Sequence, residues 1–352
     1  MTKKKYVVIK SNEYHDLNRK EIELALSDVC DINFYDERIL EISIDEKHKN
    51  KLFSVFSINS VSEMIDIYEI KNFNSKVKNI SWNKYIENPY YIQKEAVIPK
   101  IKYDNIKKSL GIKSTKEISD DIWFNLKESN FKPKVDFDNY KSKIVFYVSE
   151  NYVAVGKNPR KGNQSYEKRS NNKRPSKHPT TMKPSLARVV INHLSILNEE
   201  NISIIDPFCG MGGFLIEVCA IKGELDKNWK IYGNDIKKEM IDGCKNNLDF
   251  YDFNVKLFNK DTFKIEKRFD YMVTDIPYGK HSFTSKHTKS LIKNMLKWIN
   301  ANIKKKSCVV FPKEHENYFK EQCDYFNIEI LNESEIYVHG SLTRKIVLLK
   351  VN

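Results

Sequence analysis

No two of the six cysteines form a C-x-x-C pair, and no histidine stands beside one at zinc spacing. A structural zinc, any other metal and a disulfide framework are therefore not expected. No apolar run approaches the ~20 residues of a membrane span, and the opening MTKKKYVVIK lacks the apolar stretch of a secretory signal. No membrane partner is expected, and the expected location is cytoplasmic. Neither G-x-G-x-x-G nor a P-loop occurs, which removes the fingerprint of a nicotinamide-dependent dehydrogenase and of a nucleotide-triphosphate site. What remains is a 352-residue chain with 40% hydrophobic residues, enough for two or three domains with real cores.

Acidic residues are scarce in one place. Residues 157–183 hold nine Lys or Arg against one Asp or Glu, whereas residues 1–156 hold 26 against 24 and residues 184–352 hold 25 against 22. Most of the formal charge of +13 is thus concentrated in one short segment, as suits a polyanionic partner. Its Gly, Pro, Asn and Ser content reads as a linker over residues 157–178. Arg160, Lys161, Lys168, Arg169, Lys173, Arg174 and Lys177 make it a candidate phosphate-contacting strap. Arg344, before the last strand, is a further candidate phosphate contact.

The most informative stretch is Asn201 to Glu217, NISIIDPFCGMGGFLIE, a β-branched run followed by an acid, a glycine-bearing turn and a helix. Glycines at 210 and 212 permit close approach of a ligand to the backbone. An acid ending the strand repels a pyrophosphate and suits an ammonium, so S-adenosylmethionine is the first candidate ligand. The second strand, ending in GND, supplies Asp235, which is placed to accept ribose hydroxyls. Two further strands end at Asp261 and at Asp275 within TDIPYG. Ligands of open α/β sheets lie outside the carboxyl ends of the strands, so four acids there suggest one cleft. Each alone could be a helix N-cap.

Preceding this, residues 1–48 read as a small α+β module: a strand at Tyr6–Ile9, a helix at Arg19–Val29 and a strand at Ile39–Ile44. Residues 49–156 read as a second module, with a strand near Ala96–Ile101, helices near 104–110 and 117–129, and a closing hairpin over 134–156 turning at Ser149–Asn151. Residues 179–352 read as an alternating α/β domain whose seven-stranded sheet ends in an antiparallel hairpin.

DPFCGMGG resembles the cofactor loop of the Rossmann-like methyltransferases that act on exocyclic amines, and TDIPYG resembles their [DNS]-x-P-[YFW] tetrapeptide, with Ile276 in its second position. With HPTTMKPSLARVVINHL, GNDIKKEMIDGCKNNL and VHGSLTRKI, these motifs resemble the archaeal tRNA (guanine-N2)-methyltransferases acting at guanosine 10. The hairpin over 134–156 is similar to the end of a THUMP domain, the RNA-binding module that this family carries. The resemblance implies a Rossmann-like, S-adenosylmethionine-dependent enzyme adding one or two methyl groups to the guanine N2 amine of tRNA. It implies Asp206, Phe208, Gly210, Gly212, Asp235, Ile236, Asp261 and Thr262 around the cofactor, and Asp275, Ile276, Pro277 and Tyr278 at the target base. The expected partner is tRNA, with the chain monomeric or assisted by a small activating partner. Competing readings are an amino-methyltransferase on another tRNA guanosine or on adenine N6, and a catalytically idle tRNA-binding protein.

Overall fold

The computed structural model describes residues 3–162, 165–277, 285–339 and 342–351. The chain divides into two compact units, one of residues up to Asn12, Val29–Phe53 and Ile58–Gly162, the other of Glu13–Asp28, Ser54–Ser57 and the chain beyond Gly162. Helix α1 (His15–Leu26) therefore belongs to the second unit. No described helix is long and apolar enough to cross a membrane.

The first unit is built on β1 (Lys4–Lys10), β2 (Cys30–Phe34), β3 (Ile39–Ile44), β4 (Ile58–Glu69), β5 (Tyr90–Ala96), β6 (Ser142–Val148) and β7 (Tyr152–Lys161). They form one sheet in the order β2-β3-β1-β4-β7-β6-β5, in which only β5 and β6 run parallel. The short α2 (Phe73–Lys76), α3 (Lys100–Leu110) and α4 (Thr115–Glu128) accompany it. The divide expected at residue 48 is not a break in this sheet. Tyr6, Val7, Val8 and Ile9 are all buried, so β1 is an interior strand whose backbone N–H and C=O groups need a ladder partner on each edge. It finds them in β3 and β4, one from each side of the expected boundary.

Local chemistry also moves two element boundaries. The strand expected at Ala96–Ile101 is β5, ending at Ala96, because Pro99 precedes α3 as its N-cap. Helix α4 starts at a capping box in which Glu117 N–H donates to Ser114 Oγ (3.2 Å) and Ser114 N–H donates to the Glu117 carboxylate (2.7 Å), a pairing that satisfies two otherwise orphaned donors. The hairpin turns at Ser149, as its sequence implies, but its first arm begins at Ser142. Residues 134–136 instead lie along β5, with Tyr90 N–H donating to Lys134 O and Asp136 N–H to Tyr90 O. The second arm, β7, runs on into the basic segment as far as Lys161.

The second unit carries α5 (Pro184–Asn192), β8 (Ser203–Asp206), α6 (Gly213–Glu224), β9 (Lys230–Asn234), α7 (Lys238–Phe250), β10 (Lys256–Phe258), β11 (Phe269–Asp275), α8 (Ser285–Asn302), β12 (Ile303–Pro312), α9 (Glu316–Tyr325), β13 (Ile328–His339) and β14 (Leu342–Val351). The sheet order is β10-β9-β8-β11-β12-β14-β13. β8 to β12 pair in parallel, and β14 runs antiparallel to both its neighbours. This is the expected seven-stranded Rossmann-like sheet. β8 lies between β9 and β11, so successive crossovers leave it in opposite directions and open a crevice at its carboxyl end.

Polar clasps hold the unit's discontinuous segments. The Glu21 carboxylate on α1 is fully buried and accepts from Phe56 N and Ser57 N (2.9 Å each), from the Ser57 hydroxyl, and from Asn192 Nδ2 on α5 (2.6 Å). The segment read as a linker is equally tied down. It forms short 3-10 turns at Ser165–Arg169 and Asn171–Lys173, and Arg169 donates through Nε and Nη2 to both oxygens of buried Glu217 on α6 (2.7 and 2.9 Å). Arg188 of α5 donates to Glu217 and to Glu224.

Removing the Glu21 carboxylate strands several buried donors, each costing about 1–3 kcal/mol. Glu21→Ala is expected to lower unfolding free energy by about 3 kcal/mol or more in denaturant titration, with Glu21→Gln losing less. A loss below about 1 kcal/mol for the alanine variant would show that α1 is held by other contacts.

Candidate active site

The acids expected at the strand ends do not play equal parts. Asp206 closes β8 and Asp275 closes β11, while Asp235 follows β9. The Asp206 carboxyl is buried, and burial pushes it up to about 7; the Thr274 hydroxyl (2.7 Å) and Phe208 N–H pull it down, while Asp235 and Asp275 push it further up. Asp275 is likewise raised to about 7 by burial, opposed by Arg344. Asp261 stands apart as the N-cap of a 3-10 turn, accepting from Phe263 N–H at 3.1 Å.

Between these acids lies the glycine loop. Gly210 and Gly212 have φ of +50° and +84°, and a Cβ on Gly212 would lie 2.8 Å from Cys244 Sγ. Both positions favour glycine on conformational grounds, and the second also on steric grounds. Asp235 fixes the loop from the neighbouring strand: Oδ2 accepts from Gly210 N–H (3.1 Å) and Oδ1 from Lys237 N–H (2.9 Å). Ile236 beside it is 69% exposed, leaving an apolar surface next to a half-buried carboxylate. Phe208 is partly buried and packs edge-on against Phe263. Cys209 is buried, and a hydrogen bond with Cys244 together with burial pushes its thiol up, so it is an inert packing group.

Thr262 is engaged in the scaffold. It is buried, its hydroxyl donates to Pro207 O (2.8 Å), and it accepts from Asn234 Nδ2 (3.0 Å). Its role is to hold one loop to another. Motif reading does not find Asn234 or Thr274. The two hydrogens of Asn234 Nδ2 are shared among Thr262 Oγ1, Lys260 O and, at a longer 3.2 Å, Pro207 O, while its Oδ1 accepts from Lys260 N–H. A buried amide offers two donors and an acceptor, and here they join the ends of β8, β9 and β10. The available signal is an asparagine immediately before an expected ligand acid.

At the D-I-P-Y turn, Ile276 is buried and its N–H donates to Val310 O (3.0 Å). The ladder with β12 thus extends one residue past Asp275, which stiffens the start of the turn. Pro277 is half-buried; Tyr278 lies outside the described residues. Asp275 Oδ1 is buried and has no hydrogen-bond partner among the described residues, while Oδ2 lies 3.4 Å from Arg344 Nη2.

The basic candidates divide sharply. Lys161 and Arg160 are exposed at the end of β7, with the Arg160 guanidinium 4.0 Å from the centre of the Phe53 ring. Lys168, Lys173 and Lys177 are exposed in the second unit. Arg169 and Arg174 are not surface groups: they are 7% and 2% exposed, Arg169 on Glu217 and Arg174 donating through Nε to Arg169 O (2.8 Å). Arg344, expected to meet phosphate, is turned inward onto Asp275. In each case a buried carboxylate or carbonyl outcompetes solvent for the guanidinium.

A family model described as RMKL-like, methyltransferase domain matches residues 171–346, half of the chain. The tRNA (guanine(10)-N2)-dimethyltransferase of Methanothermobacter thermautotrophicus is 24% identical over 81% of this chain and 80% of its own length. The tRNA (guanine(10)-N2)-dimethyltransferase of Methanocaldococcus jannaschii is 28% identical over 87% and 84%. The crystal structure of TrmN from Thermus thermophilus shares the fold, with a TM-score of 0.51, 12% identity, and coverage of 99% of this chain and 100% of that one.

A carboxyl raised from 3.8 to about 7 binds its proton more tightly when folded, so its contribution to stability is full in acid and falls as pH rises from about 4 to about 7. Asp206→Asn keeps an acceptor for Thr274 and removes the charge. In the ligand-free protein its melting temperature should pull ahead of the unsubstituted protein across that window, by about 5 °C at pH 8. Parallel melting curves at all pH values would refute the buried charge.

Proposed function

Because the chain belongs to the RMKL-like, methyltransferase domain family, we propose that it methylates the exocyclic N2 amine of guanosine 10 in tRNA, using S-adenosylmethionine and giving N2-methyl- and N2,N2-dimethylguanosine. The observation that carries this reading is Asp275 Oδ1, a buried acceptor with no partner among the described residues, at the end of the strand beside the glycine loop. Two relatives bearing the name tRNA (guanine(10)-N2)-dimethyltransferase support the choice of substrate.

The residues suit an adenosyl sulfonium ligand. Asp206 and the loop through Phe208, Gly210 and Gly212 would take its amino-acid end, the acid favouring an ammonium. Asp235 would accept ribose hydroxyls, with exposed Ile236 against the purine; Asp261 is a further candidate at this side of the crevice. When bound, S-adenosylmethionine supplies an electrophilic methyl group on a positively charged sulfur, which becomes a neutral thioether as the methyl passes to N2.

The chain's own work is on the amine. A guanine N2 lone pair is delocalised into the ring and is a poor nucleophile. Asp275 Oδ1 and the Ile276 carbonyl would accept its two N–H bonds and orient the lone pair. As the new N–C bond forms, N2 becomes acidic and Asp275 takes its proton. A carboxyl raised to about 7 is a better base for this than one at its ordinary value. Pro277 holds the turn, and Tyr278 stacks on a base drawn out of the tRNA helix. Exposed Arg160, Lys161, Lys168, Lys173 and Lys177 meet the phosphates, and the first unit, which holds the THUMP-like hairpin over 134–156, binds RNA.

Asp275→Asn should reduce methyl transfer to unmodified tRNA transcripts at least 100-fold while calorimetry finds S-adenosylmethionine affinity little changed. Nucleoside analysis of the unsubstituted reaction should give N2-methylated guanosine at position 10. N6-methyladenosine, or an Asp275→Asn enzyme of full activity, defeats the proposal. Charge reversal at Lys168, Lys173 and Lys177 should weaken tRNA binding in filter assays and flatten its salt dependence, by about one unit of log–log slope for each phosphate that is no longer neutralised; an unchanged slope removes the strap from the interface.

A further inference from the structure

Arg344 and Asp275 are 69 positions apart in the chain, yet the fold joins them. β14 runs beside β12 with Arg344 opposite Pro312, at the end of β12 where the parallel strands also terminate. β11 is the next strand over, and Asp275 is its last residue. From there the Arg344 guanidinium spans β12 and brings Nη2 to 3.4 Å from Asp275 Oδ2. Both side chains are largely removed from solvent, at 11% and 20% exposure. A guanidinium this enclosed is poorly placed to meet a phosphate at the surface.

We propose that Arg344 is a positioning residue for the transfer step, holding Asp275 by one carboxylate oxygen so that the other, Oδ1, stays available to the incoming amine. The inference rests on the reading of Asp275 given above. Its physical basis is the crowding of acids at this end of the sheet. Asp275 pushes up the neighbouring Asp206 of β8, burial raises Asp275 itself, and the Val310 carbonyl of β12 is taken by Ile276 N–H. A carboxylate so enclosed would otherwise turn or stay protonated. Arg344 supplies the opposing charge from the far side, and its contact with Oδ2 alone favours the rotamer that leaves Oδ1 unengaged. A lysine could restore the charge but, with a shorter and more mobile ammonium, not that orientation.

The experiment compares Arg344→Met and Arg344→Lys with the unsubstituted protein, following methyl transfer to tRNA transcripts from about pH 5.5 to 9, with S-adenosylmethionine affinity measured by calorimetry as a check on folding. Loss of the cation raises the Asp275 carboxyl, so the acid limb of the Arg344→Met rate profile should move up by about one pH unit. Its kcat at neutral pH should fall at least 30-fold with KM for tRNA within about twofold, and Arg344→Lys should return the limb while restoring kcat only in part. An unmoved acid limb with reduced kcat would make the contact merely structural; a raised KM that depends on salt, with kcat intact, would make Arg344 a phosphate contact. Either overturns the proposal. If Arg344→Met fails to bind cofactor, the limb and kcat of Arg344→Lys decide by the same criteria. Failure of the functional reading looks different: the unsubstituted protein would methylate another amine or none, and with another amine the limb comparison is made on that substrate.

Discussion

Two carboxylates forced together at the end of a parallel sheet set the terms for the rest of the second unit. Asp206 and Asp275 close adjacent strands β8 and β11, where both are driven toward protonation by burial. Charges so placed are tolerated only with compensation. Around Asp206 it comes from the Thr274 hydroxyl and a backbone N–H of the glycine loop. Around Asp275 it comes from a guanidinium on a strand that runs the opposite way. The antiparallel hairpin that ends the sheet thereby contributes more than an edge. It delivers a cation to the carboxylate that closes β11.

The scaffold beneath is polar at positions that cores usually fill with apolar side chains. Asn234 and Thr262 join three loops through their side chains, and buried Glu217 gathers arginines from two segments. Apolar packing is non-directional and tolerates small slides, whereas hydrogen-bonded groups fix one arrangement. For the methyl transfer proposed above, in which the direction of a lone pair decides the rate, that distinction matters.

Much of this is legible in the sequence, and the limits are physical. Strand ends marked by Asp206, Asp235 and Asp275 can be read because β-branched runs stop abruptly at an acid or a glycine turn, a local signal. The fate of each arginine cannot. Arg169 and Arg174 look like their exposed neighbours Lys168 and Lys173 until Glu217 and the backbone of the folded segment are in place, and those partners are fixed only by tertiary structure. Arg344 is the same case over a longer span. The family resemblance implies Thr262 beside the cofactor, yet its hydroxyl donates to Pro207 O. The two expected N-terminal modules merge into one sheet because the apolar faces of β1 can be seen in the sequence but its strand neighbours cannot.

The order of segments in the second unit carries one more implication. Its core includes α1 and Ser54–Ser57, both supplied by chain that comes before most of the first unit. Asn192, at the end of α5, depends on a carboxylate encoded 171 positions earlier. The boundary between the two units is therefore not a point on the gene. No single cut yields two complete halves, and a fragment starting after Gly162 would retain every candidate cofactor and base residue yet expose the face of α5 that Glu21 and Ser57 cover. In such a chain the two units are obliged to be inherited together, and exchange of one for a foreign counterpart would require splicing at several places at once.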